Sequence, residues 1–151
     1  MQDIEDFKKS IGRKSRLLGV DPGKKRVGLA ISDEDKLVST PLKTIIKKNN
    51  SDFIKEIREI IEENNVRGII VGNPINMDGS KGSSAQSAND FAKYLSNNIS
   101  VPVTMWDERL SSEGAFNLSS NLDVNTSKKV EKLDQNAASF ILQGAIDYIR
   151  R

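Results

Sequence analysis

Four acidic residues of this chain could form a hydrolytic centre: Asp21, Asp107, Glu108 and Asp134. Asp21 lies in the sequence Gly-Val-Asp-Pro-Gly, at the exit of a predicted first strand that should be central in a sheet. The sheet fixes the backbone there, so the carboxylate would be held rigidly, as a metal ligand requires. An aspartate before Pro-Gly can equally stabilise its own turn by accepting hydrogen bonds from downstream N–H groups. Taken alone, the position allows both roles.

Asp107 and Glu108 follow the fifth predicted strand, where two acids and Arg109 are consecutive. Successive residues of a strand point to opposite faces, so at most one of the two acids would line a given site. The pattern does not settle which one that is. Arg109 could hold a phosphate through its planar guanidinium group, or pair with one of the acids. An ordinary solvated strand end is the alternative.

Asp134 lies near the beginning of the last predicted helix, where an acid is also favourable for purely electrostatic reasons. Glu131 lies three residues earlier and could share its helical face. It is a weaker candidate, because exposed acids are common. Asp21, one acid of the Asp107–Glu108 pair and Asp134 are spaced along the chain as two-metal phosphodiester hydrolysis would need. In that chemistry two divalent ions, roughly 3.5–4 Å apart, hold the attacking water and the leaving oxygen.

The composition narrows the available chemistry to oxygen ligands and cations. The chain has 151 residues, about one domain, with no histidine and no cysteine. Imidazole bases, thiol nucleophiles, thiolate zinc sites and disulfides are therefore excluded. Carboxylates and hydroxyls favour hard cations, Mg²⁺ or Mn²⁺.

The charge balance permits a polyanionic partner without demanding one, because the net charge is only +2. Basic residues form two clusters, whose members are Lys8, Lys9, Arg13, Lys14 and Arg16 in the first and Lys24, Lys25 and Arg26 in the second. Such runs are usually solvated faces, but Lys24 and Arg26 are candidates for substrate contact. The turn-rich stretch 73–82 follows the fourth strand and offers Asn76, Asp78, Ser80 and Lys81 for phosphate contact. A plain structural loop is the alternative reading of that stretch.

Hydrophobic periodicity predicts three antiparallel strands, then a helix, a strand, a helix, a strand and a helix. This order predicts an α/β fold with a mixed sheet, the strand at 101–105 being an edge because of Pro102. The sequence also predicts a capping box at Ser83 and Gln86, a short helix at 111–118, a mobile loop at 121–127 and a closing helix at 133–149. Residues 1–15 are predicted to be a loosely attached extension, and residues 16–151 a single domain.

Four segments together resemble the YqgF (RuvX) family of Holliday-junction-resolvase-like pre-16S rRNA nucleases of bacteria. They are LGVDPGKKRVGLAISD at 18–33, IVGNPINMDGS at 70–80, DERLSS at 107–112, and LDQNAA at 133–138 continuing to ILQ at 141–143. The segments occur in the family's order and span about residues 16–150. The chain departs from the family pattern at Asn73, at Ser111 and Ser112, and at Gly114, none of which removes a carboxylate.

The resemblance implies an RNase H-like fold, a five-stranded mixed sheet of order 3-2-1-4-5 flanked by helices. It implies hydrolysis of phosphodiester bonds with Mg²⁺ or Mn²⁺, and a role in maturing the 5′ end of small-subunit ribosomal RNA. By motif, Asp21, Asp107, Glu108 and Asp134 are the catalytic acids, and Asp21, Glu108 and Asp134 would hold metal. The substrate contacts would come from Lys24, Arg26, Asn76, Ser80, Lys81 and Arg109.

Three other functions stay open from the sequence. One is a resolvase of Holliday junctions or other branched DNA, and another is a non-catalytic nucleic-acid-binding module of the same fold. The third is an actin-like ATPase, which needs two such domains where this chain supplies one. The expected partners are nucleic acid and ribosomal particles. Among nucleic acids, pre-rRNA is the first candidate and branched DNA the second. We expect a cytoplasmic monomer or weak dimer. We expect no membrane span, because no apolar run approaches about 20 residues.

Overall fold

The computed structural model describes residues 1–73, 83–107 and 126–150, leaving aside the side chains of 83–85 and 126–133. Its elements, in chain order, are α1 (Ile4–Ser10), β1 (Arg16–Asp21), β2 (Arg26–Ser32), β3 (Ser39–Ile46), α2 (Asn50–Asn64), β4 (Val66–Asn73), α3 (Ser83–Asn98), β5 (Val103–Asp107) and α4 (Thr126–Ile149). From β1 onward this is the predicted order.

The strands form one mixed sheet of order β3-β2-β1-β4-β5. β1 pairs antiparallel with β2 and parallel with β4, while β2 pairs antiparallel with β3 and β4 pairs parallel with β5. β1 is therefore central and β5 is an edge strand, which confirms the predicted order and the edge inferred from Pro102. The carboxyl ends of β1, β4 and β5 lie at the same end of the sheet.

Alternation along the strands divides the buried side chains between two helical layers. Val20, Leu29 and Val71 face α2 and α3, and Leu17 and Ile70 face α1 and α4. α2 begins where the side chain of its N-cap Asn49 accepts a hydrogen bond from the Asp52 N–H. It ends at Asn65, whose φ of 54° lies in the left-handed region.

The expectation of a loosely attached N-terminal extension is wrong. Phe7 of α1 is fully buried, and the Gln2 N–H donates to the Val103 carbonyl at 2.9 Å. At the other end of the chain, the Tyr148 hydroxyl bonds the Glu5 carboxylate at 2.9 Å. The physical reason is burial, since Ile4, Phe7 and Ile11 share one helical face and cover the β4–β5 side of the sheet. The division of the chain at residue 15 stays a prediction.

The closing helix begins seven residues earlier than predicted, at Thr126 instead of residue 133. Residues 126–132 contain no proline or glycine, and Val130 extends the apolar spacing of the helix. The predicted loop at 121–127 therefore ends in helical residues, and its first part lies outside the described residues. The predicted short helix at 111–118 and the capping contacts of Ser83 also lie outside them. No helix in the described part of the chain is long and apolar enough to span a membrane.

Candidate active site

Asp21 is the last residue of β1 and its side chain is half-buried. It alternates with Leu17 and Gly19, which places it on the face of the sheet that α4 covers. Its partner across the β1–β2 ladder is Gly28. On the other side, the β1–β4 register continues from Val20 opposite Val71 and brings Gly72 beside Asp21. Glycine on both sides leaves the Asp21 carboxylate flanked by bare backbone.

Asp134 of α4 lies directly over Gly28. A Cβ atom built on Gly28 would come within 1.9 Å of the Asp134 carbonyl oxygen and 2.3 Å of its carbonyl carbon. Only glycine permits such a close approach of helix and strand. Since Gly28 is also the ladder partner of Asp21, about one strand spacing away, the structure brings Asp21 and Asp134 together.

Arg26 holds the carboxylate of Asp134, with its Nε donating to Oδ2 at 2.9 Å. The Asp134 side chain is 22% exposed and that of Arg26 is 45% exposed, so the pair lies at the mouth of the site. Arg26 begins β2 after the turn from Asp21. Gly23 is required in that turn, because a Cβ there would lie 2.3 Å from the Arg26 carbonyl oxygen.

Asp107 ends β5 on the opposite face from Asp21. In the β4–β5 register Gly72 pairs with Trp106, and Asn73 pairs with Asp107. Trp106 packs in the α4 layer, whereas Met105 packs in the layer of α2 and α3. Asp107 continues the alternation of Met105 and therefore shares its face with Asn73.

The model of the RuvX family, described as Holliday junction resolvase, matches residues 15–148. The chain belongs to the RuvX family. A RuvX relative from Pelagibacter ubique, named "Putative pre-16S rRNA nuclease", is 58% identical over 149 residues, 99% of each chain. A relative of the same name from a Ruegeria species is 40% identical, covering 97% of this chain and 94% of its own. The family resemblance is thereby confirmed.

Solved structures show the fold that the RuvX chain shares with resolvases. The RuvC protein of T. thermophilus in complex with a Holliday junction substrate superposes with a TM-score of 0.51 at 14% identity, covering 90% of this chain and 95% of that one. A yeast mitochondrial Holliday junction resolvase gives 0.51 at 13% identity, covering 97% and 84%. These likenesses confirm the predicted RNase H-like fold.

The predicted site residues of this RuvX chain divide into four groups. Asp21, Arg26 and Asp134 lie together, and Asp107 lies at the same end of the sheet on the other face. Lys24 is exposed in the turn between β1 and β2. The others lie outside the described residues, or have side chains outside them, and they are Asn76, Asp78, Ser80, Lys81, Glu108, Arg109 and Glu131. Sequence reasoning missed the role of Gly28, whose only signal was a glycine inside a strand pattern.

Proposed function

We propose that this chain hydrolyses phosphodiester bonds of nucleic acid with the help of divalent cations bound at Asp21 and Asp134. The observation that carries the proposal is the contact of the Asp134 backbone with Gly28, the ladder partner of Asp21. It sets the backbone of Asp134 beside the ladder partner of Asp21, at the carboxyl end of β1, and supports a site shared by the two carboxylates. Ligands gather at such ends in open α/β sheets.

The residues present fit a hard cation, because the donors at this point are carboxylate oxygens. In the part of the chain that the structure describes, no three acids form a ready metal cluster. We propose Glu108 as the third ligand. The alternation that places Trp106 on the face of Asp21 and Asp107 on the other face predicts the face of Asp21 for the next residue. When bound, Mg²⁺ or Mn²⁺ would activate water and neutralise charge on the phosphate.

The protein side chains have separate tasks in this proposal. Asp21 presents oxygens from a fixed strand end, so the cation site needs little rearrangement. Arg26 orients the Asp134 carboxylate through a charge-assisted hydrogen bond and compensates its charge in the absence of a cation. The glycines beside Asp21 place no side chain of their own between the carboxylate and a phosphate.

For the substrate we propose the 5′ end of pre-16S rRNA, free or within ribosomal particles in the cytoplasm. The support is the name shared by the relatives, which align over nearly the full chain. Branched DNA is the second candidate, and the description of the matching family model favours it. The two differ in the nucleic acid that is cut, while the chemistry of the site is the same.

The test is cleavage of a 5′-extended 16S rRNA precursor and of a four-way DNA junction, with Mg²⁺, Mn²⁺ or EDTA. Asp21→Asn and Asp134→Asn should abolish metal-dependent cleavage. Asp147→Asn is the matched control, because Asp147 lies on the same helix in an exposed pair with Arg150. Cleavage that survives Asp21→Asn would refute the mechanism. Binding without any cleavage by the unmodified protein would instead establish a non-catalytic module.

A further inference from the structure

A second basic segment, Lys47 and Lys48, lies beside the turn between β1 and β2. The Lys47 N–H donates to the Lys25 carbonyl at 2.8 Å. The β2–β3 register pairs Arg26 with Ile46 immediately before it. Two stretches separated by about twenty residues in the sequence are therefore adjacent. We call Lys24, Lys25, Lys47 and Lys48 the lysine strip.

Three of the four lysines of the strip, Lys24, Lys25 and Lys48, are exposed to solvent. Lys47 is half-buried, and its ammonium lies 5.7 Å from the Phe53 ring centroid and 5.2 Å from that of Phe91. These rings hold the Lys47 charge in one place through cation–π attraction.

A neighbouring lysine, unlike those of the strip within the described part of the chain, forms an ion pair with an acidic side chain. Lys43, on the same strand as Ile46, is paired with Glu56 at 2.6 Å, so its charge is compensated within the protein. Like charges on adjacent strands oppose folding. An assembly of four lysines at one corner is therefore unfavourable for the fold alone and favourable for binding a polyanion.

The lysine strip also lies at the end of the sheet that carries Asp21 and Asp134. β1 ends at Asp21, and Lys24 and Lys25 follow in the turn before Arg26, which holds Asp134. With neighbouring strands about 4.8 Å apart, the strip crosses the end of the sheet toward the β3 edge. Its Lys47 lies in the layer of α2 and α3, the face of the sheet opposite to Asp134.

We propose that the lysine strip binds the sugar–phosphate backbone of the substrate strand beside the bond that is cut. The proposal rests on the proposed function for its place relative to the reaction, while the binding itself can be measured without cleavage. Lysine is a compact, mobile point charge, suited to backbone phosphates and without base preference. The strip therefore sets the path of the strand and leaves sequence selection to other contacts.

The test is the salt dependence of binding to a labelled single-stranded RNA and to a DNA of the same sequence, in EDTA. The variant is Lys25→Gln/Lys48→Gln, which leaves the Lys47 ring contacts intact. The control is Lys9→Gln/Lys14→Gln. Both control lysines are exposed and precede β1, about 20 Å of strand away from Asp21. Thermal unfolding verifies that both variants are folded.

We expect the slope of log affinity against log salt to fall by about 1 to 1.5 for the strip variant, on RNA and DNA alike, since each lost phosphate contact removes about 0.7. The control should match the unmodified protein. An unchanged slope, an equal loss in the control, or a loss confined to RNA would overturn the lysine strip as a backbone site. A reduced slope in a protein that cleaves nothing would sustain the strip and refute the nuclease proposal. Cleavage by the unmodified protein, together with an unchanged slope for the strip variant, would support the nuclease proposal and refute the lysine strip.

Discussion

Gly28→Ala is the substitution that tests how the fold positions the reactive acids. The added methyl group would lie 1.9 Å from the Asp134 carbonyl oxygen, whereas ordinary van der Waals contact begins near 3.4 Å. The obstacle is backbone, so no side-chain rotation can relieve it. The helix must therefore retreat by about 1.5 Å, the difference between those two distances.

The expected effect on activity is larger than the effect on stability. A displacement of about 1 Å at a reacting group can cost about 100-fold in rate, so we expect at least that loss of metal-dependent cleavage. Overpacking of this kind costs about 1–3 kcal/mol of unfolding free energy. For a chain of this length, that lowers the melting temperature by about 2–4 °C per kcal/mol. Single-turnover cleavage and thermal unfolding followed by circular dichroism measure the two effects.

Gly12→Ala separates the two contributions. Gly12 has φ of +75° but nothing within 4 Å of a built Cβ, so alanine there would be strained without moving α4. It should lose about 1–2 kcal/mol of stability and keep its cleavage rate. If Gly28→Ala cleaved as fast as Gly12→Ala at a temperature where both are folded, the close contact of α4 with β2 would not be what positions Asp134.

Three further outcomes are expected. Glu108→Gln should abolish cleavage in the assay with Mg²⁺, whereas Asp107→Asn, on the other face, should retain part of it. Phe7→Ala should lower the unfolding free energy in urea by about 3–5 kcal/mol, because the ring is fully buried. Asp33→Asn should destabilise the protein at neutral pH, because the backbone N–H groups it accepts from, that of Val38 foremost, hold the pKa of Asp33 below its usual range. In acid the unfolded state then binds more protons than the folded state. This stabilisation is therefore fully present above the ordinary aspartate pKa, and it is lost as the pH falls through the lower pKa of Asp33 in the folded protein.

Each of these has a matched control. Equal losses of cleavage for Glu108→Gln and Asp107→Asn would contradict the assignment of Glu108, by strand alternation, to the face of Asp21. Leu37→Ala removes an aliphatic side chain that is 47% exposed and should change stability by less than about 0.5 kcal/mol. If Phe7→Ala were as mild as that, α1 would not be part of the core. Glu34→Gln removes a neighbouring exposed charge and should change stability by less than about 0.5 kcal/mol.

The sheet and α2 were predictable because their signals are local. Alternating apolar residues in β2 mark a strand, and Asn49 marks the beginning of α2. The apolar spacing of Ile4, Phe7 and Ile11, with Asp3 as N-cap, was also in the sequence. It was too short to indicate a partner, because a seven-residue helix is stable only where it can pack.

The site was only partly predictable, since its parts meet through tertiary contacts. The sequence offered Asp21 and Asp134 as candidates, but the contact of Asp134 with Gly28 depends on how α4 crosses the sheet. Lys47 and Lys48 gave no signal of their own. Their position beside Lys25 follows from the β2–β3 register, which no residue pattern fixes before the strands pair.

The placement of α1 also affects the order in which the chain folds. The Thr104 hydroxyl bonds the Gln2 carbonyl across 102 residues of sequence, and Tyr148 bonds Glu5 across 143. The residues of α1 thus cannot complete their packing until β5 and α4 have been made. Contacts of such separation are the slowest to form. During synthesis the hairpin of β1 and β2 can form before β5 and α4 exist, while Phe7 stays exposed to solvent until these elements pack beside it.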